Sequence, residues 1–209
     1  GSPGLQLDYV AGSYGTQNIL GSFGFGNEHS QSLLTYSHTQ SDGYREHTRT
    51  RKDNVSFVSQ MKLNDRQRLT AAALFTDLYY QTPGGLNLAE FQANPKQARP
   101  AAGPFPSAEA SKAAIFQKNI LAGLTHEYDF SPQFSNSSTV YAALAHIQNP
   151  TFRNYERRIE PHFGGRTAFS FSPRMNSGSL KLVAGGEWQR GYFNTQVFGN
   201  RQGLPDTVQ

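Results

Sequence analysis

The sequence predicts an all-β protein, an antiparallel up-and-down sheet of the transmembrane β-barrel kind, on three observations. Apolar and polar residues alternate with a period of two along most of the chain. Charged residues are scarce while glycine and aromatics are plentiful. The connections between alternating stretches differ in length from one end to the other. The clearest alternation is "LKLVAGGEWQ" at residues 180–189, where Leu180, Leu182, Ala184, Gly186 and Trp188 share one side of an extended chain and Lys181, Glu187 and Gln189 the other. Alternation alone leaves open which face is inside. A soluble sandwich buries the apolar face against a second sheet, whereas a membrane barrel turns it to lipid and keeps the polar face around a wet lumen.

Composition narrows the choice. Charged residues are 16% of the 209, against about 25% in typical soluble domains, and the chain carries 20 Gly, 15 Phe and 10 Tyr. It has no cysteine, which excludes a disulfide framework, a thiolate metal site and a cysteine nucleophile and suits an oxidising periplasm as well as a cytosol. Mean hydropathy is −0.59, and no apolar run approaches the roughly 18 residues of a transmembrane helix. Barrel strands need only about 9 to 11 residues each and carry a much weaker signal. No leader is visible at Gly1, so the sequence is read as starting after a removed segment or within a longer protein.

Taken in order, the pattern yields about nine strands and no helix. Leu5, Leu7, Tyr9 and Ala11 form the first apolar row; Ile19, Gly21, Phe23 and Phe25 the second; Leu34, Tyr36 and His38 a short third; Val55, Phe57, Met61 and Leu63 the fourth. "QRLTAAALFTDLYY" has no clear phase, and Asp77 is assigned to the wet face because a carboxylate in lipid is costly. Ile120, Ala122, Leu124, Tyr128 and Phe130 follow, then "STVYAALAHI", "RTAFSFS" and residues 180–189. Short, turn-rich connections ("NEHS", "NDRQ", "SPQFSNSS", "PRMNSG") alternate with long ones at residues 41–53, 81–116 and 149–164, while "SYGT" is short. Short turns on one rim and long loops on the other are the habit of an outer-membrane barrel. Phe23, Phe25, Tyr128, Phe130 and Phe171 fall near the short turns, and Tyr9, Tyr79, Tyr80, Trp188 and Tyr192 near the long loops, as two aromatic girdles would. Core aromatics of a sandwich are the alternative.

Three motifs in this order, "GSYGTQ" at residues 12–17, "SDGYREH" at 41–47 and "TPGGLNLAEFQANPKQARPA" at 82–101, resemble the front half of the barrel of TonB-dependent outer-membrane receptors, the ferric citrate and siderophore branch above all. The resemblance runs from Leu5 to about Gly199. It implies a barrel of roughly 22 strands around an N-terminal plug, in the outer membrane of a Gram-negative bacterium, importing an iron chelate with energy from TonB. Residues 1–209 are then a partial barrel domain, with plug and C-terminal strands outside the sequence and the last residues in an external loop.

Other chemistry finds little support. No helix follows "GSFGFG" to aim an N-terminus at phosphate. His126, Glu127, Asp129, Glu160 and His162 lack zincin spacing, and His126 and Glu127 point to opposite faces of a strand. No serine sits in a nucleophile elbow. No enzyme, metal centre or cofactor is expected. The pI near 9.4 comes from cations scattered over loops without a recognition module, which argues against nucleic acid. Those cations instead nominate a ligand site: Tyr44, Arg45, Arg49 and Arg51, with Arg99 and Arg153 from later loops. Guanidinium forks suit the oxygens of an anionic chelate. Binding to lipopolysaccharide phosphates, simple solvation, and a soluble or surface-exposed β-rich adhesion module are the competing readings.

Overall fold

The alternating stretches pair in chain order. In the computed structural model, which describes residues 4–208, β1 (Gly4–Ala11), β2 (Gln17–Gly26), β3 (Ser30–Ser41), β4 (Thr50–Asn64), β5 (Gln67–Gln81), β6 (Ala114–Ser131), β7 (Phe134–Pro150) and β8 (Asn154–Phe171) form one antiparallel meander. Both β9 (Leu182–Gly191) and β10 (Asn194–Arg201) then pair with β8, and β11 (Leu204–Val208) closes the order against β10. One six-residue helix, α1 (Leu88–Ala93), lies between β5 and β6.

Cross-strand partners share a face, so the register decides the two surfaces. One row runs Leu5, Phe23, Leu34, Phe57, Ala73, Ala122, Ala142, Phe163. The opposite face carries Gln31, Gln60, Thr70, Thr125, Thr139, Arg166 and Glu187 in one row. The expected split at β9 holds: Trp188 lies opposite Gly165 on the apolar face, and Glu187 opposite Arg166 on the polar one. Lys181 precedes the strand. At the short-turn end the apolar face carries a chain of rings, with Tyr128–Phe130, Phe130–Phe134 and Phe134–Phe169 centroids 4.5, 5.1 and 5.9 Å apart. Tyr79 packs on Phe116 on the same face near the other end, whereas Tyr80 pairs with Thr50 and Ile115 on the polar face.

Four expectations are corrected. Asp77 sits on the apolar side, in register with Asp53 and Lys118. It lies beyond the apolar stretch, in a polar collar where Arg51 reaches it at 3.3 Å and Lys118 at 3.6 Å, and Asp53 accepts from Tyr36 and meets His38 at 2.7 Å. Strands of 15 to 18 residues outrun the roughly 9 to 11 that cross a bilayer, so one face changes character along its length. Second, "NYERRIE", read as loop, is the outer half of β8, and residues 149–164 shrink to a turn closed by Thr151 N–H to Asn154 O at 2.8 Å. Third, residues 194–201 and 204–208 are two strands joined by a two-residue turn rather than external loop.

That third point has a local cause. The β8–β9 and β8–β10 ladders keep a single register, from His162↔Gly191 to Ile159↔Asn194, so β9 and β10 are one strand in two parts. The interruption faces Pro161. Tyr192 N–H donates to Pro161 O at 2.9 Å, but proline has no N–H to return the bond. The fourth correction is α1, which a capping box starts: Asn87 Oδ1 accepts from Glu90 N–H at 2.9 Å and Glu90 Oε2 from Asn87 N–H at 3.0 Å.

Buried side chains gather at the long-loop end. Ala98, Ala108 and Ala113 cluster there, and Ser111, Pro150 and Tyr155 are buried too. Among the described residues, no second layer covers the apolar face: Leu7, Ile120 and Val140 are 70%, 52% and 61% exposed.

Candidate functional site at the long-loop rim

Residues 42–49 and 82–113 are the two substantial loops at this end, and backbone bonds knit them together. Glu46 N–H donates to Lys96 O at 2.7 Å and Arg99 N–H to Pro83 O at 2.7 Å. The "PGG" of the long loop supplies the fold-back. Gly84 has φ +75°, and a Cβ there would lie 2.8 Å from Arg99 Cβ, so both conformation and space call for glycine.

Arg45 is the clamp between the loops. Its Nε and Nη2 donate to Gln97 O at 3.2 and 2.9 Å, and Nη2 also to Gly84 O at 3.1 Å. Tyr44 stands beside it, exposed, edge-on to Tyr14 at 5.8 Å with Lys96 5.2 Å from its ring centre. Arg49 is exposed and holds Asp42 at 3.1 Å. Arg51 belongs to β4 and to the polar collar, bound to Asp53 and Asp77.

The other two nominated arginines form a separate group. Arg99 lies 4.2 Å from the Phe152 ring centre and donates to Pro100 O at 3.2 Å and to Pro106 O. Arg153 stands over Phe105 and Phe152 at 5.2 and 5.3 Å, and those rings meet edge-on at 5.5 Å. Such cation–π stacks are worth about 0.5–2 kcal/mol each. Asn200 ties the β10–β11 turn to the long loop through Ser111 O at 2.8 Å and to the β7–β8 turn through Thr151 O at 2.6 Å. The rim is therefore a braced surface of guanidiniums and rings, with Tyr44, Arg45 and Arg49 on one side and Arg99 and Arg153 on the other. Charge picked out the arginines in the sequence. Phe105 and Phe152 were passed over because an aromatic in a loop has no local pattern to mark it.

Among the described residues, those weighed for metal or acid–base work form no group of three that could hold a metal ion. His126 is on the apolar side, 3.1 Å from Gln67 Oε1, while Glu127 is on the polar side, bound to Arg68 at 3.1 Å.

No family model matches the sequence. Solved structures do. The ferric citrate transporter FecA in its unliganded form superposes with a TM-score of 0.71 at 15% identity over 96% of this chain. The siderophore receptor PiuA from Acinetobacter baumannii gives 0.74 at 10% over 100%, and the ferric-catecholate import receptor Fiu from E. coli K12 gives 0.73 at 12% over 98%. At such identities the likeness is one of fold: the chain has the fold of the β-barrel wall of these receptors. It spans 30–33% of their length.

Proposed function

We propose that the chain is a stretch of the wall of a TonB-dependent outer-membrane receptor that imports a ferric siderophore or related iron chelate, with the plug, the TonB contact and further strands elsewhere in the full protein. The observation that carries this reading is the superposition of nearly the whole chain on three iron-chelate receptors and transporters. An uncovered apolar face bounded by rings at its short-turn end supports a place in lipid. The collar of Arg51, Asp77 and Lys118 beyond it supports contact with charged headgroups, lipopolysaccharide phosphates included.

In this reading the ligand meets the exposed Tyr44, Arg49 and Arg153 and the remaining Nη1 edge of half-buried Arg45, rings and guanidiniums that suit chelate faces and anionic oxygens. Arg51 and Arg99, engaged with carboxylates and carbonyls, hold the frame. The test is equilibrium binding of ferric dicitrate, a ferric catecholate and a ferric hydroxamate to the complete receptor containing this chain. At least one should bind, and Arg49→Ala or Arg153→Ala should weaken it by roughly ten- to a hundredfold, the size of a charge-assisted bond of about 1.5–3 kcal/mol. A receptor that binds none of the three overturns the reading.

A further inference from the structure

A cleft of about 410 Å³ opens within the long loop, lined by Arg45, Leu86, Asn87, Leu88, Phe91 and Pro95. Leu88 and Phe91 lie three residues apart on one face of α1 and are 72% and 56% exposed. A leucine and a phenylalanine held side by side in water on a protruding loop ask for an apolar occupant. Their helix is fixed at both ends, by the Asn87–Glu90 capping box and by Asn94 N–H and Gln97 Nε2 donating to Glu90 O at 3.0 and 2.7 Å. The cleft is thus preformed, as ligand sites usually are.

Its single charged wall is Arg45. The Nε and Nη2 protons of that guanidinium go to Gln97 and Gly84, while Nη1 has no acceptor among the described residues. The site pairs an apolar floor with a guanidinium fixed through Nε and Nη2, whose Nη1 donors are unspent among the described residues.

That combination discriminates among chelates. Citrate has no apolar face to cover Leu88 and Phe91. A hydroxamate arm is aliphatic and its oxygens bring no net charge beyond that needed to neutralise iron, so Arg45 would gain little from it. An aryl ring bearing anionic oxygens satisfies both walls, with the ring against Phe91 and an oxygen edge on Nη1. Size agrees, since a cavity of about 150 Å³ is enough for one benzene ring. We propose that this cleft seats an aromatic, anionic arm of the transported chelate, so that the receptor takes iron bound to catecholate-type or phenolate-type ligands. The proposal rests on the iron-chelate reading above.

The experiment is equilibrium titration of the complete receptor with ferric tris(2,3-dihydroxybenzoate), ferric dicitrate and ferrioxamine B, using wild type, Phe91→Ala, Leu88→Ala and Phe91→Tyr. The aryl complex should bind tightest. Phe91→Ala should weaken it by about tenfold, the size of an aromatic pair, and Phe91→Tyr should restore it. Both side chains are exposed, and unchanged heat-modifiable gel mobility would confirm intact barrels. Ferric dicitrate or ferrioxamine B binding as tightly as the aryl complex, or aryl binding indifferent to Phe91→Ala, would overturn the cleft assignment and leave the iron-chelate reading standing. Failure of all three complexes to bind would instead overturn that reading.

Discussion

At the residue scale, Asp77 shows how parity and hydropathy divide the work. Hydropathy sends a carboxylate to the wet face; parity puts it with Phe75 and Tyr79, because a strand cannot turn one side chain over without a bulge. The chain resolves the conflict by depth, placing Asp77 where Arg51 and Lys118 meet it. A residue inside the apolar stretch has no such neighbours. Val140 lies between Leu124 and Gly165 on that face. On the proposed lipid facing, Val140→Arg in the complete protein should cost roughly 2–4 kcal/mol and reduce the heat-modifiable, folded fraction in outer membranes. Gln60→Arg, on the polar face between Gln31 and Thr70, should assemble normally. Equal assembly of the two variants would contradict the facing.

At the element scale, all nine alternating stretches of the sequence are strands, because period two is a local signal that survives without knowledge of partners. What escaped was non-local or charged. "NYERRIE" reads as loop by its charge, yet it continues β8 into the polar collar, beyond the apolar band. The break between β9 and β10 originates in the neighbouring strand, at Pro161. The capping box of α1 was readable as Asn87-x-x-Glu90 but is short enough to be overlooked inside a loop. The rim site was half legible: its cations stand out by charge, while Phe91, Phe105 and Phe152 acquire meaning only from what they pack against. Two substitutions test these elements. Pro161→Val supplies the missing N–H opposite Tyr192 and should join β9 to β10, stabilising by about 0.5–1.5 kcal/mol and slowing amide exchange along residues 190–194. Gly84→Val should strain the left-handed turn by about 1–2 kcal/mol and push against Arg99, freeing the clamp at Arg45; faster proteolysis within residues 82–113 would report it, and unchanged protection would argue against the clamp.

At the scale of the whole molecule, the apolar surface is a band rather than a face, the pattern that the proposed contact with lipid requires and a packed protein layer does not. A second sheet packed on the wall would cover one side of each strand along most of its length, whereas a bilayer covers only the stretch between its headgroups. Strand β6 contains both situations on one side: Leu124 and Ile120 lie in the band, and Lys118, two residues further, belongs to the collar beside Asp77. Strand β7 repeats the sequence with Val140 and Leu144 followed by His146 and Gln148. The chain has no cysteine, so single-cysteine variants of the complete receptor can be read without background where the rest of the protein also lacks free thiols. In intact outer membranes, cysteines at Ile120, Leu124, Val140 and Leu144 should resist a small water-soluble thiol reagent. Cysteines at Lys118 and Gln148 on the same side should react, as should those at Gln60 and Glu127 on the polar side. Detergent extraction that leaves the barrel folded should preserve the pattern, since detergent tails replace lipid over the same band. Shielding that extends to Lys118 and Gln148 would point to a covering protein layer, and uniform reaction along β6 and β7 would remove the band altogether.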